Sequence, residues 1–129
     1  MGTLVYVCAL KHKNTYNGGN YTPALREFHR RLTILTTLHG WKMNCIFDGQ
    51  TPPEKRYEHA RRSNKEDSIA ITSQFILMCK EVCRGCCIDN IIAPYEADSQ
   101  VGRRNNSEFT NSALVLCRDT DLLAYGNTN

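Results

Sequence analysis

Acidic side chains are concentrated in three short segments, FDG at 47–49, YEAD at 95–98 and RDTD at 118–121. Two of the segments directly follow an apolar run typical of a buried strand. Carboxylates at the carboxyl ends of parallel strands converge on one crevice, and such close like charges need a cation between them. Oxygen ligands favour Mg²⁺ or Mn²⁺ over zinc. The sequence therefore predicts a metal site formed by Asp48, Glu96, Asp98, Asp119 and Asp121.

Length and composition are those of a single soluble domain. The chain has 129 residues, of which 41% are hydrophobic and 22% charged, and no apolar run has the length of a membrane span. No targeting signal is visible, so an intracellular protein is expected. The seven cysteines, an odd number, indicate reduced thiols. The spacing of Cys79, Cys83, Cys86 and Cys87 fits a zinc knot poorly and favours small core thiols.

Basic side chains are clustered although the net charge is only +3. Local basic patches of this kind can contact phosphate. The clusters lie in the segments 26–31, 55–65 and 103–104. Their members are Arg26, Arg30, Arg31, Lys55, Arg56, Arg61, Arg62, Lys65, Arg103 and Arg104.

The order of predicted elements is β-α-β-α-β-α-β, typical of an α/β domain with a mostly parallel sheet and helices on both faces. Strands are predicted at Thr3–Leu10, Met43–Phe47, Ile88–Ala93 and Ala113–Cys117, and a loop at Lys11–Asn20. Helices are predicted from Thr22 towards Gly40, from about Ser68 to Arg84, and at Tyr95–Arg104.

The blocks FDGQTPPEK (47–55), IIAPYEADSQ (91–100) and RDTDLLAYG (118–126) resemble the flap-endonuclease and XPG family of structure-specific 5′ nucleases, closest to its exonuclease-1 branch. The resemblance implies a PIN-like three-layer fold and a nuclear nuclease for DNA 5′ ends or flaps, in repair or replication. RNA is a second candidate polymer. The resemblance also assigns the five carboxylates to two divalent ions at the scissile phosphate. No membrane partner is implied.

The same resemblance gives a role to basic residues that follow Asp48. Lys55 and Arg62 stand seven and fourteen residues after it, where the family has a lysine and an arginine beside the scissile phosphate. Seven residues is about two helical turns, so both heads would project from one helix face. Arg56, Arg61 and Lys65 would add nucleic-acid contacts. Acidic residues are interleaved with these basic residues, so a solvated, salt-bridged helix face without a binding role stays open as the alternative.

Several features depart from the family pattern. The best alignment places Cys8 at the end of the first strand, where the family has a metal-binding aspartate, and a thiol is a poor ligand for Mg²⁺. The stretch between Asp48 and Glu96 is too short for the family's helical arch, and the later aspartate and helix-hairpin-helix do not follow. Two alternatives to an active nuclease therefore stay open: a catalytically impaired nucleic-acid-binding or scaffold domain, and a fragment of a longer nuclease.

Overall fold

The structure, a computed structural model, describes residues 1–38, 40, 42–50, 53 and 69–101. It combines helices with a small parallel sheet, in agreement with the predicted α/β class. The strand predicted at Ala113–Cys117 and the segment 54–67 lie outside the described residues. The elements are α1 (Gly2–Lys11), α2 (Lys13–Asn17), α3 (Thr22–Thr33), a π-helical turn (Ile34–Leu38), β1 (Asn44–Phe47), α4 (Ser73–Gly85) and β2 (Asp89–Ile92).

Strands β1 and β2 are parallel neighbours, with Asn44 opposite Asp89 and Phe47 opposite Ile92. Both strands were predicted from their apolar runs, and the structure confirms them. Because parallel strands end at the same edge of a sheet, Asp48 and the segment after Ile92 emerge side by side. The backbone N–H of Ala93 continues the pairing by donating to the carbonyl of Phe47 over 2.9 Å.

The prediction of a strand at Thr3–Leu10 is wrong, because these residues lie in α1. The apolar run satisfies helical spacing as well as extended spacing. Val5, Cys8 and Ala9 fall on one face of the helix, and all three are buried. A continuous apolar run does not separate a buried strand from a buried helix, and here packing against α3 decides for the helix. The predicted loop at Lys11–Asn20 also contains the short helix α2.

Helix α3 begins at Thr22 as predicted, with Pro23 in its first turn. Ala24, Phe28 and Leu32 are completely buried at spacings of four residues, which places them on the inner face. The π-helical turn extends the helix as far as Leu38. The amphipathic pattern therefore located this helix correctly.

Helix α4 begins at Ser73, later than the predicted start near Ser68. Thr72 is extended and its Oγ1 accepts a hydrogen bond from the N–H of Phe75 over 3.2 Å, so Thr72 is the N-cap. The Tyr16 hydroxyl stabilises the segment just before the helix. It accepts a hydrogen bond from the N–H of Thr72 (3.1 Å) and donates one to the carbonyl of Ala70 (3.3 Å). This long-range contact fixes a helix start that the local sequence does not specify.

The main core lies between α1, α3, α4 and β1. Tyr16, Tyr21 and Phe75 pack together with ring centroids 4.9–5.5 Å apart. The six described cysteines are free thiols, and Cys8, Cys45, Cys79 and Cys83 are buried in this core. In the described part of the chain, no helix has the length and apolar character needed to cross a membrane.

Candidate active site

Asp48 directly follows β1 and is fixed by the segment that follows β2. Its Oδ1 accepts a hydrogen bond from the backbone N–H of Ala97 over 2.9 Å. The backbone N–H of Gly49 donates to the carbonyl of Tyr95 over 2.6 Å. Residues 97–101 are helical, so the Asp48 carboxylate lies at a helix start, where unpaired N–H groups favour negative charge.

Glu96 and Asp98 flank the residue that Asp48 contacts. Both are half-buried, whereas Asp48 is exposed. The structure thus brings Asp48 and the segment 96–98 together at the carboxyl edge of the sheet. The other residues assigned to the site lie outside the described residues. They are Asp119 and Asp121 among the carboxylates, and Lys55, Arg56, Arg61, Arg62 and Lys65 among the basic side chains.

The described residues do not assemble a metal centre by themselves. Within the ranges that the structure describes, no three His, Cys, Asp or Glu side chains are close enough to hold one ion. The donor chemistry fits a hard cation, because a carboxylate has two oxygens with two lone pairs each, and the bond from Ala97 uses only part of that capacity.

The start of α1 lies against Asp48. A Cβ added at Gly2 would collide with Oδ2 of Asp48, so the two residues are in close contact. The Met1 amino group donates to the carbonyl of Ile46 over 2.8 Å. Asp48 therefore lies beside two helix starts, and both favour a carboxylate there. Sequence reasoning did not assign Gly2 to the site.

Gly49 makes the close approach of the two segments possible. A Cβ at this position would collide with the carbonyl of Ala93 and would lie 2.9 Å from the carbonyl oxygen of Pro94. Both obstacles are backbone atoms, which cannot rotate away. Glycine is therefore the residue that lets the turn after Asp48 pack against the turn after β2.

The predicted placement of Cys8 at a metal-binding strand end is wrong. Cys8 lies on α1 and is completely buried in the core. Burial raises the pKa of its thiol to about 11, and burial likewise raises the pKa of Cys79 to about 12. Both thiols are protonated at neutral pH. Cys8 is a core residue, and Gly2 is the part of α1 that reaches Asp48.

Tyr95 is the large aromatic residue beside Asp48. An aromatic residue between a strand and a helix commonly packs under the helix, and a role in stacking on a base is the alternative. The structure leaves 54% of Tyr95 exposed, and Ile92, three residues earlier at the end of β2, is 46% exposed. The exposed ring at this edge is available for stacking on a base.

Comparison with known proteins finds similarity to exonuclease 1 from three animals. The Xenopus laevis protein is 30% identical over 132 residues, which covers 84% of this chain and 18% of the relative. The Drosophila melanogaster and Danio rerio proteins are each 28% identical, over 65% and 67% of this chain and 14% of each relative. This chain thus spans less than a fifth of the length of these relatives. No protein-family model and no solved structure matches it.

These similarities support a relationship to the 5′ nuclease family. The particular relatives matched are exonucleases, and the matched part is a small fraction of each.

Proposed function

We propose that this chain is a metal-dependent 5′ nuclease domain that hydrolyses DNA phosphodiester bonds at 5′ ends or flaps. One observation carries the proposal: the bond between Asp48 and Ala97 joins two of the three acidic segments at the carboxyl edge of a parallel sheet. Similarity to exonuclease 1 over 84% of the chain supports the same function.

In this proposal, Asp48, Glu96, Asp98, Asp119 and Asp121 hold two Mg²⁺ or Mn²⁺ ions. When bound, such ions supply a hydroxide nucleophile and stabilise the leaving oxygen. The Ala97 N–H orients the Asp48 carboxylate, because it fixes Oδ1 at the helix start. Lys55 and Arg62 contact the scissile phosphate and stabilise its developing charge. Arg56, Arg61 and Lys65 bind the flanking nucleic-acid backbone, and Tyr95 stacks on a base.

The proposal extends to architecture and place of action. The chain forms one PIN-like domain over residues 1–129, in which the described sheet is part of a three-layer arrangement. The domain acts on DNA in the nucleus during repair or replication, as the exonuclease-1 resemblance implies. RNA is the second candidate polymer, because no feature of the described residues would distinguish the 2′-hydroxyl of RNA from the 2′-hydrogen of DNA.

A second candidate function is a nucleic-acid-binding or scaffold domain without catalytic activity. The feature that favours it is the short stretch between Asp48 and Glu96, which is too short for the helical arch of the resembled nucleases. Misplacement of catalytic groups by about 1 Å can lower a rate about a hundredfold. Because the chain covers 18% of its Xenopus laevis relative, it also fits a fragment of a longer nuclease.

The test is cleavage of a 5′-labelled flap DNA and a blunt duplex, each with Mn²⁺, Mg²⁺ or EDTA. Asp48→Asn is the test variant, since asparagine keeps an oxygen for the Ala97 N–H but loses the charge. Asp89→Asn is the matched control, because Asp89 is an exposed carboxylate at the opposite edge of the same sheet. Metal-dependent cleavage that is lost only in Asp48→Asn would support the nuclease. DNA binding without cleavage would favour the second candidate, and neither binding nor cleavage would contradict both.

A further inference from the structure

Glu27 on α3 is a buried carboxylate surrounded by three cations. Its side chain is only 6% exposed. Arg30 binds both carboxylate oxygens, with Nε 3.0 Å from Oε2 and Nη2 2.9 Å from Oε1. Arg31 Nε donates to Oε1 over 2.8 Å, and Lys11 Nζ, from the end of α1, lies 3.1 Å from the same oxygen.

The positive charge of this cluster exceeds the negative charge of Glu27. One carboxylate neutralises one cation, so Glu27, Lys11, Arg30 and Arg31 together have a formal charge of +2. The cationic heads remain accessible, because Lys11 is 52% exposed, Arg30 56% and Arg31 35%. Hydrogen bonds from Arg30 above all, and from Arg31 and Lys11, hold the pKa of Glu27 well below its usual range. The carboxylate therefore stays charged at neutral pH.

Glu27 also organises the cations. Exposed arginine and lysine side chains normally lose rotamer freedom when they bind an anion, which offsets much of the attraction. Here the bonds to Glu27 already hold the Arg30 and Arg31 heads in place. Arg31 donates to Glu27 through its Nε, and its two Nη groups make no hydrogen bond to another described residue. A planar guanidinium with its outer edge available matches the geometry of phosphate oxygens.

The position of the cluster relative to Asp48 can be measured along α1. Gly2, at the start of the helix, contacts Asp48, and Lys11, at the end, contacts Glu27. Nine helical steps separate the two residues, or about 14 Å. Phosphates of one strand of a duplex recur every 3.4 Å along the axis, so this separation corresponds to about four base pairs. Arg26, exposed one turn before Arg30, extends the same face of α3.

We propose that Lys11, Arg30 and Arg31, held by Glu27, form a second phosphate-binding surface that grips the nucleic-acid backbone away from the carboxylate edge. The name Glu27 patch is used for these four residues. The proposal rests on the proposed function, because it needs a nucleic-acid substrate. Contacts of cations with phosphate carry no sequence information, so the patch contributes affinity and position rather than sequence preference.

The test is fluorescence anisotropy of a labelled DNA duplex across a salt series. Lys11→Gln is the test variant, since it removes one exposed cation while Arg30 and Arg31 still neutralise Glu27, and the fold should be kept. Lys42→Gln is the matched control, because Lys42 is exposed just before β1, at the sheet edge opposite Asp48. We expect Lys11→Gln to weaken binding several-fold and to reduce the slope of log affinity against log salt by about 1. Lys42→Gln should change neither.

A second measurement uses duplex length. The difference between the unchanged protein and Lys11→Gln should disappear on duplexes too short to extend about 14 Å from the carboxylate edge. An equal loss in both lysine variants, or no loss in Lys11→Gln, would overturn the Glu27 patch while leaving metal-dependent cleavage intact. Failure of the unchanged chain to bind DNA at all would overturn the patch and the proposed function together. Tighter binding of an acidic peptide than of DNA, sensitive to Lys11→Gln, would assign the patch to a protein partner and also overturn the proposal.

Discussion

The carboxylate of Asp48 and the backbone N–H of Ala97 are joined by a 2.9 Å hydrogen bond, although 49 positions separate them in the sequence. This bond connects the end of β1 to the start of the helix at 97–101. Asp48 therefore has a structural role, as the acceptor at a helix start, in addition to its proposed role as a metal ligand. The two roles respond differently to substitution.

Asp48→Ala and Asp48→Asn should separate these roles. Alanine removes the acceptor and should lower the free energy of unfolding by about 1 kcal/mol, the usual cost of losing a helix cap. Asparagine keeps an acceptor for Ala97 and should cost less, yet both variants should lose metal-dependent cleavage. Urea denaturation of the two variants, beside the cleavage assay, is the measurement. Equal stability losses would show that the charge, rather than the acceptor, matters at the helix start.

Gly2→Ala should damage the site more than the fold. The added Cβ would collide with the Asp48 side chain, which can relieve the clash by rotating but then loses its bond to Ala97. We expect a stability loss of about 1 kcal/mol and a clear loss of Mn²⁺-induced thermal stabilisation. Gly85→Ala is the control, because no atom lies within 4 Å of a Cβ there and the residue ends α4. A Gly2→Ala protein with normal metal stabilisation would contradict the contact.

Cys8→Asp should unfold the domain whether or not metal is present. The thiol is completely buried on α1, so an aspartate there would be a charge buried in the core, and the cost of its desolvation would exceed the attraction of nearby cations such as Arg31. The expected loss is about 3 kcal/mol or more, against about 1 kcal/mol for Cys8→Ala. Thermal melting of both variants with EDTA and with Mn²⁺ is the check. Recovery of Cys8→Asp by Mn²⁺ would instead support a ligand position at residue 8.

Glu27 should stabilise the fold at neutral pH and lose that effect in acid. Its pKa in the folded protein lies well below the ordinary value of 4.5, chiefly because Arg30 and Arg31 donate to it. A lowered folded-state pKa gives stability that is present above 4.5 and is lost as the pH falls towards the folded-state value. The difference in urea midpoint between the unchanged protein and Glu27→Gln should therefore shrink progressively below pH 4.5.

Glu81→Gln is the control for the acid series. Glu81 pairs with Arg84 on α4, but both side chains are well exposed, at 66% and 63%. Exposed pairs contribute little, so this variant should show almost no difference at any pH. A pH-independent effect of Glu27→Gln would mean that its stability loss comes from packing rather than from the charge.

Sequence patterns determined the elements whose signals are local. The amphipathic spacing of Ala24, Phe28 and Leu32 located α3, and short apolar runs bounded by turns located β1 and β2. The parallel order of the strands then predicted that Asp48 and the 96–98 segment would meet, and they do. These features depend on residues near one another in the chain, or on a general rule about where parallel strands end.

Tertiary structure decided what local patterns leave ambiguous. The run from Thr3 to Leu10 is compatible with a strand or a helix, and burial of one face against α3 selected the helix. Because this segment is a helix, Cys8 lies in the core, Gly2 contacts Asp48 and Lys11 contacts Glu27. The charge run around Arg30 shows in the sequence, but its buried counter-ion and the cation from α1 do not. Contacts between distant segments depend on how helices pack, and no spacing along the chain encodes that packing by itself.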